Sequence, residues 1–183
     1  MPHDPLRLFV AIYPPLETRR AMVRAIKDLD PPPDPRHRVT PVEQVHMTAH
    51  FIGDTDPRQL DEVIESVRRS TSGLSPFSLR PTRLRTLPER GRPRLIALET
   101  DAPPRLMEVH RRLVHRLARP GRGRDHFLPH VTLCRFNPSA NPTAGEWPVS
   151  IPGWEVGEIV LVRSVLRREG ADHATVETVR LEV

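Results

Sequence analysis

HMTAHFIG, residues 46–53, is an apolar stretch broken by polar side chains at every second place. The same design returns in FLPHVTLCR, residues 127–135, where His130 and Thr132 again stand two apart. Both stretches read as strands. Residues i and i+2 of a strand point the same way. His46, Thr48 and His50 are therefore expected on one face, with Val45, Met47, Ala49 and Phe51 on the other. In the second strand His130, Thr132 and Cys134 share a face, opposite Val131 and Leu133. Arg135, at odd spacing from His130, is expected to point away. Each strand has an apolar face for a core and a polar face for something else.

Outward from these strands the chain falls into two similar halves. Residues 7–13 (RLFVAIY) read as a buried strand ended by Pro14 and Pro15. A helix follows over residues 16–29, with Met22, Ala25, Ile26 and Leu29 on one side, and DPPPDPR stops it. Asp56 can cap a second helix, in which Leu60, Val63, Ile64 and Val67 recur at helical spacing. Residues 77–87 and 94–100 alternate like strands joined by a turn-rich link. A third helix is expected over residues 104–118, with Leu106, Val109, Leu113 and Leu117 inward, and a basic loop (RPGRGRDHF) leads into the second His-x-Thr strand. Residues 137–150 read as irregular, and residues 155–166 with 173–183 as a closing hairpin. Leu8 to His46 spans 38 positions and Leu95 to His130 spans 35, so strand, helix, link and His-x-Thr strand recur in the same order. The reading is α+β: duplicated β-α-β units in two pseudo-symmetric lobes, within a single domain over residues 1–183, each lobe bringing one His-x-Thr to a shared cleft.

Composition narrows the function classes. Hydrophobic residues at 37% and charged residues at 28% of 183 suit a folded soluble protein. No apolar run approaches the ~20 residues of a membrane-spanning helix. The N-terminal stretch lacks signal-peptide features, and a cytoplasmic setting is expected. Cys134 is the sole cysteine, which excludes an intrachain disulfide and a cysteine-based zinc cluster. The net charge of +5 comes almost wholly from arginine, because Lys27 is the only lysine. Arginine forks suit phosphate, so a polyanionic partner fits.

Two histidines paired with two hydroxyls suit in-line hydrolysis of a phosphodiester. One imidazole takes a proton from water and the other protonates the departing oxygen, a division its ordinary pKa near 6.5 permits. Threonine hydroxyls can donate to the non-bridging phosphate oxygens. His46 with His50, and His126 with His130, have the four-residue spacing of helical metal ligands. Strand character and Pro129 argue against that use, so neither a metal nor a cofactor is expected. His50, His126, Arg122 and Arg124 are candidate substrate contacts beside the two motifs. His110 and His115 read as surface or boundary residues, Cys134 as a packed thiol, Phe9 as core and Tyr13 as a base-stacking candidate.

The pair HMTAHFIG and PHVTLCR resembles the two signatures of the 2H phosphoesterases, and more narrowly the RNA 2′,3′-cyclic phosphodiesterases, also described as LigT-like or 2′-5′ RNA ligase-like. RLFVAIYPP, RPRLIALE and the closing IVLVRSVLRREGADHATVETVRL extend the resemblance over nearly the whole chain. It implies antiparallel sheets flanking a cleft with helices outside, and conversion of an RNA terminal 2′,3′-cyclic phosphate to a 2′-phosphate. Carried onto this chain, it makes His46 the proton donor to the leaving 3′ oxygen and His130 the proton acceptor from water. Thr48 and Thr132 would hold the phosphate, and Arg135 matches a basic position after the second motif. RNA ends, including tRNA-derived fragments, or small cyclic nucleotides are the implied partners of a monomer that contacts no membrane. A 2′-5′ RNA ligase side activity is the related reverse chemistry. An RNA-end-binding module with little turnover is the alternative.

Overall fold

The computed structural model describes residues 4–29, 36–117, 127–167 and 170–182. These form strands β1 (Leu6–Ile12), β2 (His37–Val39), β3 (Met47–Thr55), β4 (Phe77–Leu79), β5 (Pro81–Leu87) and β6 (Leu95–Thr100). Then come β7 (His130–Phe136), β8 (Glu146–Pro148), β9 (Trp154–Val156), β10 (Glu158–Arg167) and β11 (Gly170–Arg180). The helices are α1 (Leu16–Lys27), α2 (Leu60–Thr71) and α3 (Pro104–Leu117).

Nine strands make one antiparallel sheet in the order β11-β10-β1-β3-β7-β6-β5-β8, with β2 added to β7. The two sheets expected from the repeat are the halves of this continuous one. Among the described residues they join at β3 and β7 through the pair Met47–Val131. That pair lies on a pseudo-two-fold axis, because Met47 and Val131 are equivalent under the 84-position offset that relates His46 to His130. The order of strands outward from the axis, β1 then β10 on one side and β6 then β5 on the other, obeys the same symmetry.

The helices cover one face. Met22 and Ile26 of α1, Val63 and Val67 of α2, and Leu106, Val109 and Leu113 of α3 pack on Leu8, Val10, Met47, Ala49, Leu98, Val131 and Leu133. Each such side chain, fully buried, contributes roughly 1.5–3 kcal/mol, so this layer fixes the lobes against each other. The other face carries a small apolar cluster of Phe9, Ala11, Val160 and Val162 with Tyr13 and Phe51 at its margin, and otherwise polar side chains. It is the cleft.

Local departures from the expected elements have identifiable causes. Residues 77–87 split at Arg80, because β4 pairs with β9 in a separate two-stranded sheet while β5 joins the main one. Asp56 caps a 3-10 turn (Pro57–Gln59) leading into α2, accepting from Arg58 N–H. Residues 146–148, read as irregular, form the edge strand β8. Among the described residues no helix is long and apolar enough to cross a membrane.

Candidate active site

The two His-x-Thr strands are bulged just past their threonines, and the bulges decide what reaches the cleft. Along β3, Ala11 pairs with Thr48 and Val10 with His50, so Ala49 is the extra residue; Ile52 is extra again between Phe51 and Gly53. Along β7, Ala97 pairs with Thr132 and Ile96 with Cys134, leaving Leu133 extra. An extra residue exchanges the faces of everything beyond it. His50 therefore turns to the helix side beside Val10, its ring 6.3 Å from that of His110, and it does not line the cleft as expected. Phe51 turns the other way and faces the cleft opposite Phe9. Cys134 goes into the core, where burial pushes its thiol up to about 11. Arg135, expected to point away, lines the cleft.

Distant residues brace both bulges. His110 of α3 donates its Nδ1–H to the Ala49 carbonyl (2.8 Å) while stacking on Phe127 (4.0 Å between centroids). On the other side the Thr40 N–H donates to the Leu133 carbonyl (2.8 Å), and the Thr40 hydroxyl to the Thr132 carbonyl (3.1 Å). These are backbone acceptors that the sheet ladder leaves over, and buried ones require partners. Gly53 closes the second β3 bulge at φ 86°, a conformation other residues seldom adopt.

The catalytic candidates share one anchoring geometry. His46 Nδ1 lies 2.6 Å from the Gln44 carbonyl, and His130 Nδ1 lies 2.7 Å from the Leu128 carbonyl, each two residues upstream. A carbonyl only accepts, so both Nδ1 atoms carry hydrogen and both Nε2 atoms are left for chemistry. Gln44 is held in turn. Arg19 of α1 donates to the carbonyls of Val42 and Glu43 (3.3 and 3.4 Å), and the Gln44 side-chain amide donates to the Ala171 carbonyl of β11 (2.8 Å). Antiparallel pairing at Met47–Val131 sets His46 beside Thr132 and Thr48 beside His130.

The two imidazoles differ in their surroundings. His46 stacks on Phe9 (5.0 Å, 29°), leans on Tyr13 (5.5 Å) and meets the edge of His173 (5.3 Å, 76°). Burial in this box lowers its pKa from 6.5 to about 4, and the charges of His173, Arg135 and His130 add to the effect, against the Gln44 hydrogen bond. His173 is a residue sequence reading passed over. It lies opposite Ser164 in the β10–β11 hairpin, also contacts Phe9 (5.1 Å), and has a buried Nδ1 without a hydrogen-bond partner among the described residues. Burial lowers its pKa too, with Asp172 opposing.

A cavity of about 390 Å³ opens beside His46, Thr48 and Thr132. Arg7, Phe9, Arg38, Phe51, Arg135 and His173 complete its chemically distinctive wall. Phe9, expected in the core, is buried but on the cleft face. Arg122, Arg124 and His126 lie outside the described residues. Among the described residues no group of three or more His, Cys, Asp or Glu side chains gathers to hold a metal ion. The signal that could have disclosed His173 and Phe51 is hairpin and bulge register, which alternation alone does not carry.

Comparison with known proteins gives the family. A family model described as the 2′-5′ RNA ligase superfamily matches residues 14–168. The chain is 30% identical over 186 residues to the RNA 2′,3′-cyclic phosphodiesterase of Thermus thermophilus, covering 94% of this chain and 88% of that one. It is 28% identical over 144 residues to the protein of the same name from Aquifex aeolicus, covering 74% and 77%. The crystal structure of TT0787 of Thermus thermophilus superposes with a TM-score of 0.80 at 26% identity, covering 96% of this chain and 97% of that one. With both His-x-Thr strands in place about a pseudo-two-fold axis, the chain belongs to the 2′-5′ RNA ligase superfamily.

Proposed function

We propose that this protein hydrolyses the 2′,3′-cyclic phosphate at an RNA end to a 2′-phosphomonoester, without a metal, as a single two-lobed domain. The carrying observation is the matched pair of imidazoles: each is fixed through Nδ1 to a carbonyl two residues upstream, which frees both Nε2 atoms. The names of the Thermus and Aquifex relatives support the substrate class.

In this reading His130 Nε2 accepts a proton from water as the water oxygen bonds to phosphorus. The bond from phosphorus to the 3′ oxygen breaks, and His46 Nε2 donates the proton that makes the 3′ hydroxyl. Thr48 and Thr132 donate to the non-bridging oxygens. His46 is neutral in the empty site at neutral pH, since its pKa is about 4. The bound phosphodiester anion supplies the opposite charge that raises its proton affinity, so the acid is loaded by the substrate it will protonate. Ligation to a 5′-hydroxyl RNA is a minor reverse activity, because water is in large excess. The setting is cytoplasmic and the working unit a monomer.

The test is incubation with a short RNA ending in a 2′,3′-cyclic phosphate in the presence of EDTA, with the product phosphate position read by NMR. Turnover to the 2′-phosphate is expected. Activity lost to EDTA and restored by a divalent ion would overturn the metal-free mechanism. Tight binding without turnover would make the protein an RNA-end-binding module.

A further inference from the structure

Glu99 of β6 is 5% exposed, the only buried carboxylate among the described residues. Buried acids need compensation, and β5 supplies it. Arg83 Nε (2.8 Å) and Arg85 Nη1 (3.1 Å) donate to different Glu99 oxygens. The same arginines reach Glu146 of β8 and Glu89, so neither depends on Glu99 alone. The direct cross-strand partner of Glu99 is His130. The adjoining pair, Leu98 and Val131, enters the core, so Glu99 and His130 both face the cleft, with Cβ atoms about 4.5–5.5 Å apart. The pseudo-two-fold axis places Glu99 a second way. Ile12 pairs with Met47 as Leu98 pairs with Val131, which makes Tyr13 and Glu99 equivalent. The Tyr13 ring lies 5.5 Å from that of His46. One lobe therefore sets a phenol, kept neutral by burial, beside its imidazole, where the other sets a carboxylate.

We propose that Glu99 is a positioning residue for His130: its charge stabilises the imidazolium formed when His130 takes a proton from water, and so fits His130 to be the base. The assignment rests on the hydrolase reading above. In that step an O–H bond of water breaks, the proton goes to His130 Nε2, and Glu99 stays ionised. His130 Nδ1 is engaged by the Leu128 carbonyl and the Glu99 oxygens by the two arginines, so the coupling acts through space. An opposite charge at this range favours the protonated imidazole. The other charged groups around the pair, among the described residues, are known by element. Arg83 and Arg85 come from β5, Glu146 from β8, Arg135 from β7 and His46 from the head of β3. Asp101, past the end of β6, accepts from the Arg80 N–H. A neutral aromatic box suits the group that must give up a proton, and a carboxylate the group that must gain one.

The experiment changes the charge beside His130 in both directions. Glu99→Gln keeps an acceptor for the arginines and removes the charge. Arg83→Gln removes a cation and leaves the carboxylate less compensated. Imidazole NMR follows the His130 titration in the free protein, with the signal assigned by its loss in His130→Gln. Glu99→Gln should move that titration to lower pH by about half to one unit, a three- to tenfold change in proton affinity. Arg83→Gln should move it to higher pH. The limb of the kcat/KM profile that coincides with the titration should move with it in each variant. A titration unmoved or raised in Glu99→Gln, or shifts of the same sign in both variants, overturns the proposal and leaves Glu99 a link in the sheet alone. If the titration moves as expected in a protein that hydrolyses no cyclic phosphate, the coupling stands and the hydrolase reading falls.

Discussion

Replacing His46 by glutamine is expected to make the protein less sensitive to acid. The folded protein holds the His46 proton with a pKa of about 4, against an ordinary 6.5. Between those values the unfolded chain binds more protons than the folded one, so the free energy of unfolding rises with pH through this window. The contribution is fully present above about pH 6.5 and is lost as pH falls through 4. Linkage gives a loss of about 2 kcal/mol by pH 5 and about 3 kcal/mol by pH 4. His46→Gln removes this loss while leaving every other titrating group in place. Urea denaturation of both proteins at pH 8 and pH 5 measures it as a gap between them that changes by about 2 kcal/mol. Burial is the largest cause of the shift, ahead of the neighbouring charges, so molar salt should leave most of the change intact. Imidazole NMR should place the His46 transition near 4, with hydrogen on Nδ1 above it. A stability gap that does not vary with pH, or a His46 titration near 6.5, would refute the argument.

His46→Ala and His130→Ala should each lower turnover by about 10² to 10⁴; a substrate with a phenolate leaving group should rescue the first and not the second, and the opposite pattern would exchange acid and base. His110→Phe keeps an aromatic ring against Phe127 but leaves the Ala49 carbonyl without its donor. Denaturation should show a loss of about 1–3 kcal/mol, kcat should fall with it because Thr48 precedes that bulge, and unchanged values for both would mean the brace is idle. Cys134, with its thiol pushed up to about 11, should react with an aromatic disulfide reagent at pH 8 far more slowly in the folded protein than in urea; equal rates would contradict its burial.

The sequence discloses the site only as far as strand alternation holds. The face that His46 shares with Thr48, and the one that His130 shares with Thr132, were legible because each pair precedes its bulge, where period two applies. His50, Phe51, Cys134 and Arg135 lie beyond the bulges and change faces. Those bulges are secured by His110 and Thr40, 61 and 93 positions away from Ala49 and Leu133, and no local pattern reports such a contact. The helices were legible for the ordinary reason that Met22, Ile26, Val63, Val67, Leu106 and Leu113 recur at helical spacing and are buried. The halves were legible as a repeat of element order. That they share one sheet was not, because one ladder pair joins them. His173 escaped because its place opposite Ser164 depends on the hairpin register.

The junction at Met47 and Val131 has a consequence for how labour can be divided. Two separate copies of one half, meeting about a true two-fold axis, would present two indistinguishable imidazoles. Neither could be designated donor before the substrate arrived, and any change made to one would be made to both. Tandem halves in one polypeptide lift that restriction. The backbone anchor of each ring remains common to both, but Phe9, Tyr13 and His173 surround His46 alone. A cyclic diester is itself lopsided, with one oxygen to release and one to keep. In the proposed reaction, distinguishable sides let the site bind it in a single orientation, and the regiochemistry of the product would follow from the covalent order of the halves.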